Sequence, residues 1–199
     1  GQGVLVGVVD TGIDDTHDAV NGYISPHGAN FVYQFQPPND SSNGFDDDLD
    51  GLVDEMSGHG TFITGLARLT APESRFLPVT VLNDEGVGTT DVVAQGIEYA
   101  ASQGCHVILV ALGTNLRSSA VAAAVAYAVA NGATVIAPVG NGNTFQCLFP
   151  AAQENVIAVG GSDHDDLFAQ FSNYHPSINL CAPGSYHIDS GAPVPGNCV

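Results

Sequence analysis

The sequence predicts an α/β domain with a mostly parallel central sheet and helices on its faces. Three observations point there. Apolar strand-like runs alternate with helical patterns along the chain, an order that produces parallel sheets. The first run, Val4-Leu5-Val6-Gly7-Val8-Val9, is continuously apolar, as a strand buried on both faces must be. The 199 residues are 44% hydrophobic and only 12% charged, which excludes a disordered chain and suits one domain spanning 1–199.

The elements follow in order. Phe76 to Leu82 is a second strand run. Thr89 or Thr90 caps a helix with Val93, Ile97 and Ala100 on its apolar face, ended by Gly104. Val107-Ile108-Leu109-Val110 is the next strand. Ser118 or Ser119 caps an Ala/Val-rich helix that stops at Gly132. Thr134 to Ala137 and Val156 to Val159 complete the strands. Residues 21–57 break the rhythm: rich in Gly, Pro, Asn, Ser and Asp, they read as a surface insertion. Residues 161–199 are also turn-rich, with Pro176, Pro183, Pro193 and Pro195.

Charge excludes one class of partner. Twenty-one acidic residues face three arginines and no lysine, a net charge of −18, which repels phosphate backbones. No apolar run is long enough for a membrane span, and the chain does not open with a signal-peptide pattern. The opening Gly-Gln-Gly suits a processed fragment as well as a complete protein. Cys105, Cys147, Cys181 and Cys198 form no CxxC pair, so zinc is disfavoured. They allow two disulfides in three connectivities, or buried free thiols.

Three residues stand where chemistry is expected in such a sheet, at the carboxyl ends of strands. Asp10 closes the first apolar run in Val9-Asp10-Thr11-Gly12; taken alone it is also an ordinary turn aspartate. His59 lies between glycines in Gly58-His59-Gly60-Thr61, before a helical pattern; alone it is a loop histidine. Asn141 follows a later strand in Gly140-Asn141-Gly142, placed to donate to an oxyanion or, as Asn-Gly, to form a type I′ turn.

Taken together and in this order, the three motifs resemble the subtilisin-like serine proteases. Gly86-Val87-Gly88 and Ala111-Leu112-Gly113 resemble the two extended segments that flank bound peptide in that family. Asn155 to Gly160, Phe171-Ser172-Asn173-Tyr174 and Cys181-Ala182-Pro183-Gly184 resemble later blocks, so the likeness covers nearly the whole chain. It implies a subtilisin-like three-layer domain and a secreted protein acting on peptide or protein substrates. Asp10 would orient, His59 would be the general base and then acid, and Asn141 the oxyanion donor.

Three departures qualify what it implies. The family's Gly-Thr-Ser-x-Ala block, which carries the nucleophile, is absent: fifteen residues follow Gly184, and Ser185 and Ser190 stand in other contexts. Ala111 replaces a usual serine, and Phe62 stands where histidine is frequent. The missing block opens a buried helix in that fold, so its absence exposes apolar surface at about 25 cal/mol per Å². A second chain carrying the serine, another partner, or a repacked terminus would have to fill the gap. The chain alone is then expected to be inactive, and a non-catalytic pseudoprotease that binds peptide is the alternative.

The acidic run Phe45 to Glu55 is a further candidate site. Asp46, Asp48 and Asp50 alternate before Gly51, with Asp54 beyond, a pattern that can wrap calcium. It is not an EF-hand loop, which would need its last glutamate at Ser57. Similar acidic insertions bind calcium in some subtilisin-like proteins; otherwise the run is a solvated loop. An aspartic protease is excluded despite Asp10-Thr11-Gly12 and Asp189-Ser190-Gly191, because the Ala-rich helical patterns contradict a β-rich fold. A dinucleotide-binding domain is excluded because the turn after the first strand lacks GxGxxG and carries carboxylates.

Overall fold

A computed structural model of the protein describes residues 1–33 and 35–184. Ser185, Asp189-Ser190-Gly191, Pro193, Pro195 and Cys198 lie outside these. The elements are β1 (Leu5–Asp10), β2 (Ala29–Asn30), α1 (His59–Thr70), β3 (Arg75–Thr80), α2 (Thr90–Ser102), β4 (Val107–Val110), α3 (Ser119–Ala130), β5 (Thr134–Pro138), β6 (Val156–Ser162) and β7 (Leu180–Pro183). They fall into two compact units. The first is Gly1–Ala111 with Ser118–Val135; the second is Leu112–Arg117 with the chain from Ile136 onward.

In the first unit the sheet runs β2-β3-β1-β4 and takes in the opening residues of β5. The pairings of β1 with β3 and β4, and of β2 with β3, are parallel. β1 is therefore a central strand, with both of its faces covered. Val6 and Val8 pack with Ile63 and Ala67 of α1. On the other face Gly7 abuts α2, where an added Cβ would stand 2.9 Å from Ala100 Cβ. This is why the run is apolar throughout rather than alternating.

The capped helices form where the sequence places them. Thr89 Oγ1 accepts from Val92 N, and Ser118 Oγ from Val121 N, each fixing a first turn. The run from Phe76 leaves the ladder two residues early. Thr80 is its last paired residue, and the amides of Val81 and Leu82 turn instead to the Asp10 carbonyl. β2 lies inside the 21–57 insertion, which is thus pinned to the sheet rather than free on the surface.

The second unit holds the rest of β5 with β6 and β7, and β6 and β7 pair in parallel. Of the two alternatives the cysteines allow, Cys105 and Cys147 are buried free thiols, whereas Cys181 is disulfide-bonded. Burial pushes the Cys105 thiol up to about 12, and raises Cys147 as well. No helix among the described residues is long and apolar enough to cross a membrane.

Candidate active site

β4 pairs with β1 only as far as Val9, opposite Val110, so Asp10 is the first β1 residue past that neighbour. It sits at the carboxyl edge of the sheet yet is fully buried. Both of its oxygens lie against His59 Nδ1, at 2.8 and 2.9 Å. Oδ1 also accepts from Thr11 N at 2.6 Å. An ionised carboxylate only accepts, so Nδ1 is the donor and Nε2 is the ring's proton-accepting nitrogen. The hydrogen bond that His59 Nδ1 donates to Asp10, and the carboxylate's charge, raise the His59 pKa above the ordinary histidine value, while burial opposes the rise.

His59 is the first residue of α1, and this start has an unusual cap. Gly58 at the N-cap has φ +88° and no side chain to offer. Asp40, from the insertion, supplies the missing acceptor. Its Oδ1 takes Gly58 N at 2.9 Å and its Oδ2 takes Thr61 N at 2.9 Å and Thr61 Oγ1 at 2.7 Å. Thr11 Oγ1 donates to Asp40 Oδ1 at 2.8 Å and accepts from Gly60 N at 3.1 Å. The end of β1 and the start of α1 are thus tied through one hydroxyl. Gly60 allows the approach: a Cβ there would overlap the Gly12 carbonyl oxygen and stand 3.2 Å from Asp10 Cβ.

The helix that presents His59 also presents an uncovered apolar stripe. Phe62, Leu66 and Leu69 are 62%, 46% and 79% exposed, at one-face helical spacing. A cavity of about 490 Å³ lies against them, lined also by Asp14, Ser57 and Thr61.

Gly86-Val87-Gly88 leaves the turn after β3 with Gly86 at φ +74° and with Val87 and Gly88 exposed. The turn is closed by Gly86 N on Asn83 O, Asn83 N on Val87 O and Val87 N on Asn83 Oδ1. Ala111 follows β4 directly. In the second unit, Gly113 packs so closely that a Cβ would stand 3.0 Å from Leu148 Cδ1, and the neighbouring Thr114 exchanges backbone hydrogen bonds with Phe149. Asn141 follows β5 in that unit, is exposed, and its side chain makes no hydrogen bond among the described residues. The type I′ turn does not form, since neither Asn141 nor Gly142 has positive φ; Gly140 and Asn143 do. Asn173 shapes this loop instead, its Oδ1 accepting from Gly142 N and Thr144 N and its Nδ2 donating to Val139 O.

Asp46, Asp48 and Asp50 bring one carboxylate oxygen each within 4.8 Å of one another. Asp54 turns elsewhere, accepting from Asn43 N and Gly44 N at 3.1 and 2.8 Å. A second group was missed in the sequence: Asp48, Glu55 and Glu85 meet the same distance limit. Asp54-Glu55 faces Asp84-Glu85. The Glu55 pKa is raised, and the Glu85 pKa lowered, chiefly by the contact between their two carboxyl groups. Burial and then the Asp54 contact raise Asp84. The recurring Asp-Glu dipeptide was the available signal; nothing local said that the two copies meet. Asp40 had no such signal.

The family model described as "Subtilase family" matches residues 1–197. Thermitase of Thermoactinomyces vulgaris is 36% identical over 186 residues, covering 94% of this chain and 64% of its own length. A thermophilic serine proteinase of Bacillus sp. (strain AK1) is 35% identical over 206 residues, covering 98% and 47%. Among solved structures, a protease of Pseudoalteromonas arctica superposes with a TM-score of 0.81 at 25% identity, over 94% of this chain and 64% of that one. The chain therefore spans from about half to just under two thirds of the length of these proteins. Its fold is the subtilisin-like three-layer α/β arrangement, and the chain belongs to the subtilase family.

Proposed function

We propose that this chain carries the acid–base half of a subtilisin-like serine endopeptidase site. The observation that supports it most is the Asp10–His59 pair, a buried carboxylate holding one imidazole nitrogen at 2.8 Å. In this reading Asp10 keeps Nδ1 protonated, and Nε2 takes the proton of an attacking serine hydroxyl as its oxygen bonds to the scissile carbonyl. The same proton then passes to the leaving amine as the C–N bond breaks, and water reverses the sequence to release the acid. Asn141 would donate to the oxyanion that forms between these steps. Peptide would add as a strand along Gly86-Val87-Gly88 and Ala111-Leu112-Gly113, as the family resemblance implies.

The serine itself has no place in these 199 residues, which contain no Gly-Thr-Ser-x-Ala block. It comes from a segment outside them or from a second chain, and this chain alone is inactive. The bare stripe of Phe62, Leu66 and Leu69 beside His59 supports such a complement, because exposed apolar side chains grouped on one helix face mark an interaction site. Secretion and a structural calcium ion at Asp46, Asp48 and Asp50 belong to the same reading; three oxygen donors from carboxylates fit a hard cation.

The test is to treat the protein from its native source with a fluorophosphonate probe and weigh every polypeptide under denaturing conditions. Labelling of a polypeptide bearing a Gly-Thr-Ser block supports the peptidase. Absence of any labelled polypeptide and of hydrolysis overturns it in favour of a peptide-binding pseudoprotease.

A further inference from the structure

Leu148 stands between two segments of the second unit that belong to the candidate site. Its amide donates to Val139 O at 3.0 Å, and the next residue, Phe149, exchanges two backbone hydrogen bonds with Thr114, each at 2.9 Å. Leu148 is thus tied on one side to the strand end that leads into Asn141, and on the other to the residue after Gly113. Its side chain fills the gap between them. A Cβ on Gly113 would stand 3.0 Å from Leu148 Cδ1 and 3.2 Å from its Cβ. A Cβ on Gly140 would stand 2.7 Å from Cδ1 and 2.8 Å from Cγ. Two glycines from different segments therefore leave their side-chain space to one leucine.

The slot has firm walls and an open side. Asn173 N donates to Gly140 O at 2.9 Å and Asn173 Nδ2 to Val139 O at 3.1 Å, so the Gly140 wall does not widen without breaking hydrogen bonds. Gly113 is exposed and Leu148 half-buried, which leaves part of the leucine within reach of an incoming group. The chemistry of the candidate site directs a substrate side chain there. A carbonyl oxygen that accepts from Asn141 fixes the peptide residue on the acyl side of the scissile bond. The main chain of that same residue pairs with Ala111-Leu112-Gly113 when peptide adds as a strand. Its side chain stands off the strand from the Cα between these two anchors, so it enters between Gly113 and Gly140 and meets Leu148.

We propose that Leu148 is a specificity-determining residue: it fills the slot between Gly113 and Gly140 and restricts the peptide residue on the acyl side of the scissile bond to glycine, alanine or a side chain of similar size. This rests on the reading of Ala111-Leu112-Gly113 as a peptide-binding segment and of Asn141 as oxyanion donor, and adds to it the class of peptide taken. A larger side chain reaches the slot only by displacing a leucine whose backbone is held at both ends. A pocket discriminates by size in this way when its floor is a packed side chain rather than water.

Binding of dansylated peptides of the form Ala-Ala-Ala-Xaa, with a free terminal carboxylate, tests this by fluorescence anisotropy on the full protein with any chain that completes it. The peptide ending in alanine should bind about tenfold or more tightly than the one ending in phenylalanine. Leu148→Ala should remove that preference by improving the phenylalanine peptide, with the alanine peptide little changed. A purely structural leucine would instead weaken both peptides alike and leave their ratio as it was. A wild type without the preference, or a preference that Leu148→Ala leaves intact, overturns the proposal. If Leu148→Ala fails to fold, judged by circular dichroism, Leu148→Val decides: it should improve a peptide ending in leucine about threefold or more against the alanine peptide, and an unchanged ratio overturns the proposal. Hydrogen exchange at residues 111–113 should slow when the alanine peptide binds. No binding, or binding without that slowing, strikes the peptide-binding reading and this proposal with it; binding at 111–113 with the wrong ranking strikes this proposal alone. Neither readout involves hydrolysis, so the Asp10–His59 reading stands apart from both outcomes.

Discussion

Asp40 holds Thr61 by two bonds to one oxygen, accepting the backbone amide at 2.9 Å and the hydroxyl at 2.7 Å. The two residues are far apart in sequence, and the contact sets a helix start whose first residue is His59. A carboxylate at a helix N-terminus also meets the positive end of the helix dipole. Asp40 thus stands behind the candidate base without touching what His59 would act on.

Removing it should cost the cap. Asp40→Ala is expected to lower stability by about 1–2 kcal/mol, the usual loss for an N-cap acceptor. Asp40→Asn, which still accepts, should recover most of it. Urea unfolding of the two variants checks this; equal stabilities would show that Asp40 does not cap α1.

Gly60→Ala sets two effects against each other. Alanine gains about 1 kcal/mol over glycine in a helix interior, and less than that at Gly60, the second residue of α1. Here the new methyl would run into the Gly12 carbonyl and crowd Asp10. Neither is the flexible end of a side chain, so the steric cost, about 1–3 kcal/mol for overpacking, should win. The variant should be less stable than wild type, and the Asp10–His59 contact should open, which the His59 titration would report.

The raised His59 pKa has a definite sign. Protonated His59 is favoured more in the folded protein than in the unfolded chain, because Asp10 accepts its Nδ1–H. The stabilisation is complete below the unfolded value of about 6.5 and disappears as pH rises through the higher folded value. The neutral base therefore dominates only above that folded value, so any activity of the complemented site should have its acid limb above about 6.5. NMR titration of the His59 ring should give a midpoint above the reference, falling in Asp10→Asn. A midpoint in Asp10→Asn equal to wild type would remove Asp10 as the cause.

Cys105 should be inert in the native state. With its thiol at about 12 and buried, only about one molecule in ten thousand carries the thiolate at pH 8. Ellman's reagent should find no fast reaction at this residue until denaturant is added. Rapid labelling of Cys105 by peptide mapping would contradict its burial.

Much of the architecture was legible because it is written in local patterns. Val4 to Val9 is apolar at every position, which only a two-faced strand requires, and Asp10 ends it, so the strand and its edge residue could be read together. Thr89 and Ser118 announce their helices by short-range capping chemistry. The end of β3 was less legible: Val81 and Leu82 are as apolar as the strand, and only the turn of their amides to Asp10 O removes them from the ladder.

The sequence by itself determined the fold class, the family and the two residues, Asp10 and His59, whose spacing along the chain is bridged by the fold. Tertiary structure alone decided who supports them. It brought Asp40 to a helix whose own cap is glycine, turned Asp54 from the alternate acids to the amides of Asn43 and Gly44, and set Glu85 against Glu55 and Asp48. The physical reason is one of range. Periodicity and capping report on neighbours within a turn or a strand, whereas an acidic side chain in a polar loop reads the same whether it faces water or another carboxylate. Only the folded chain determines which of those two it meets.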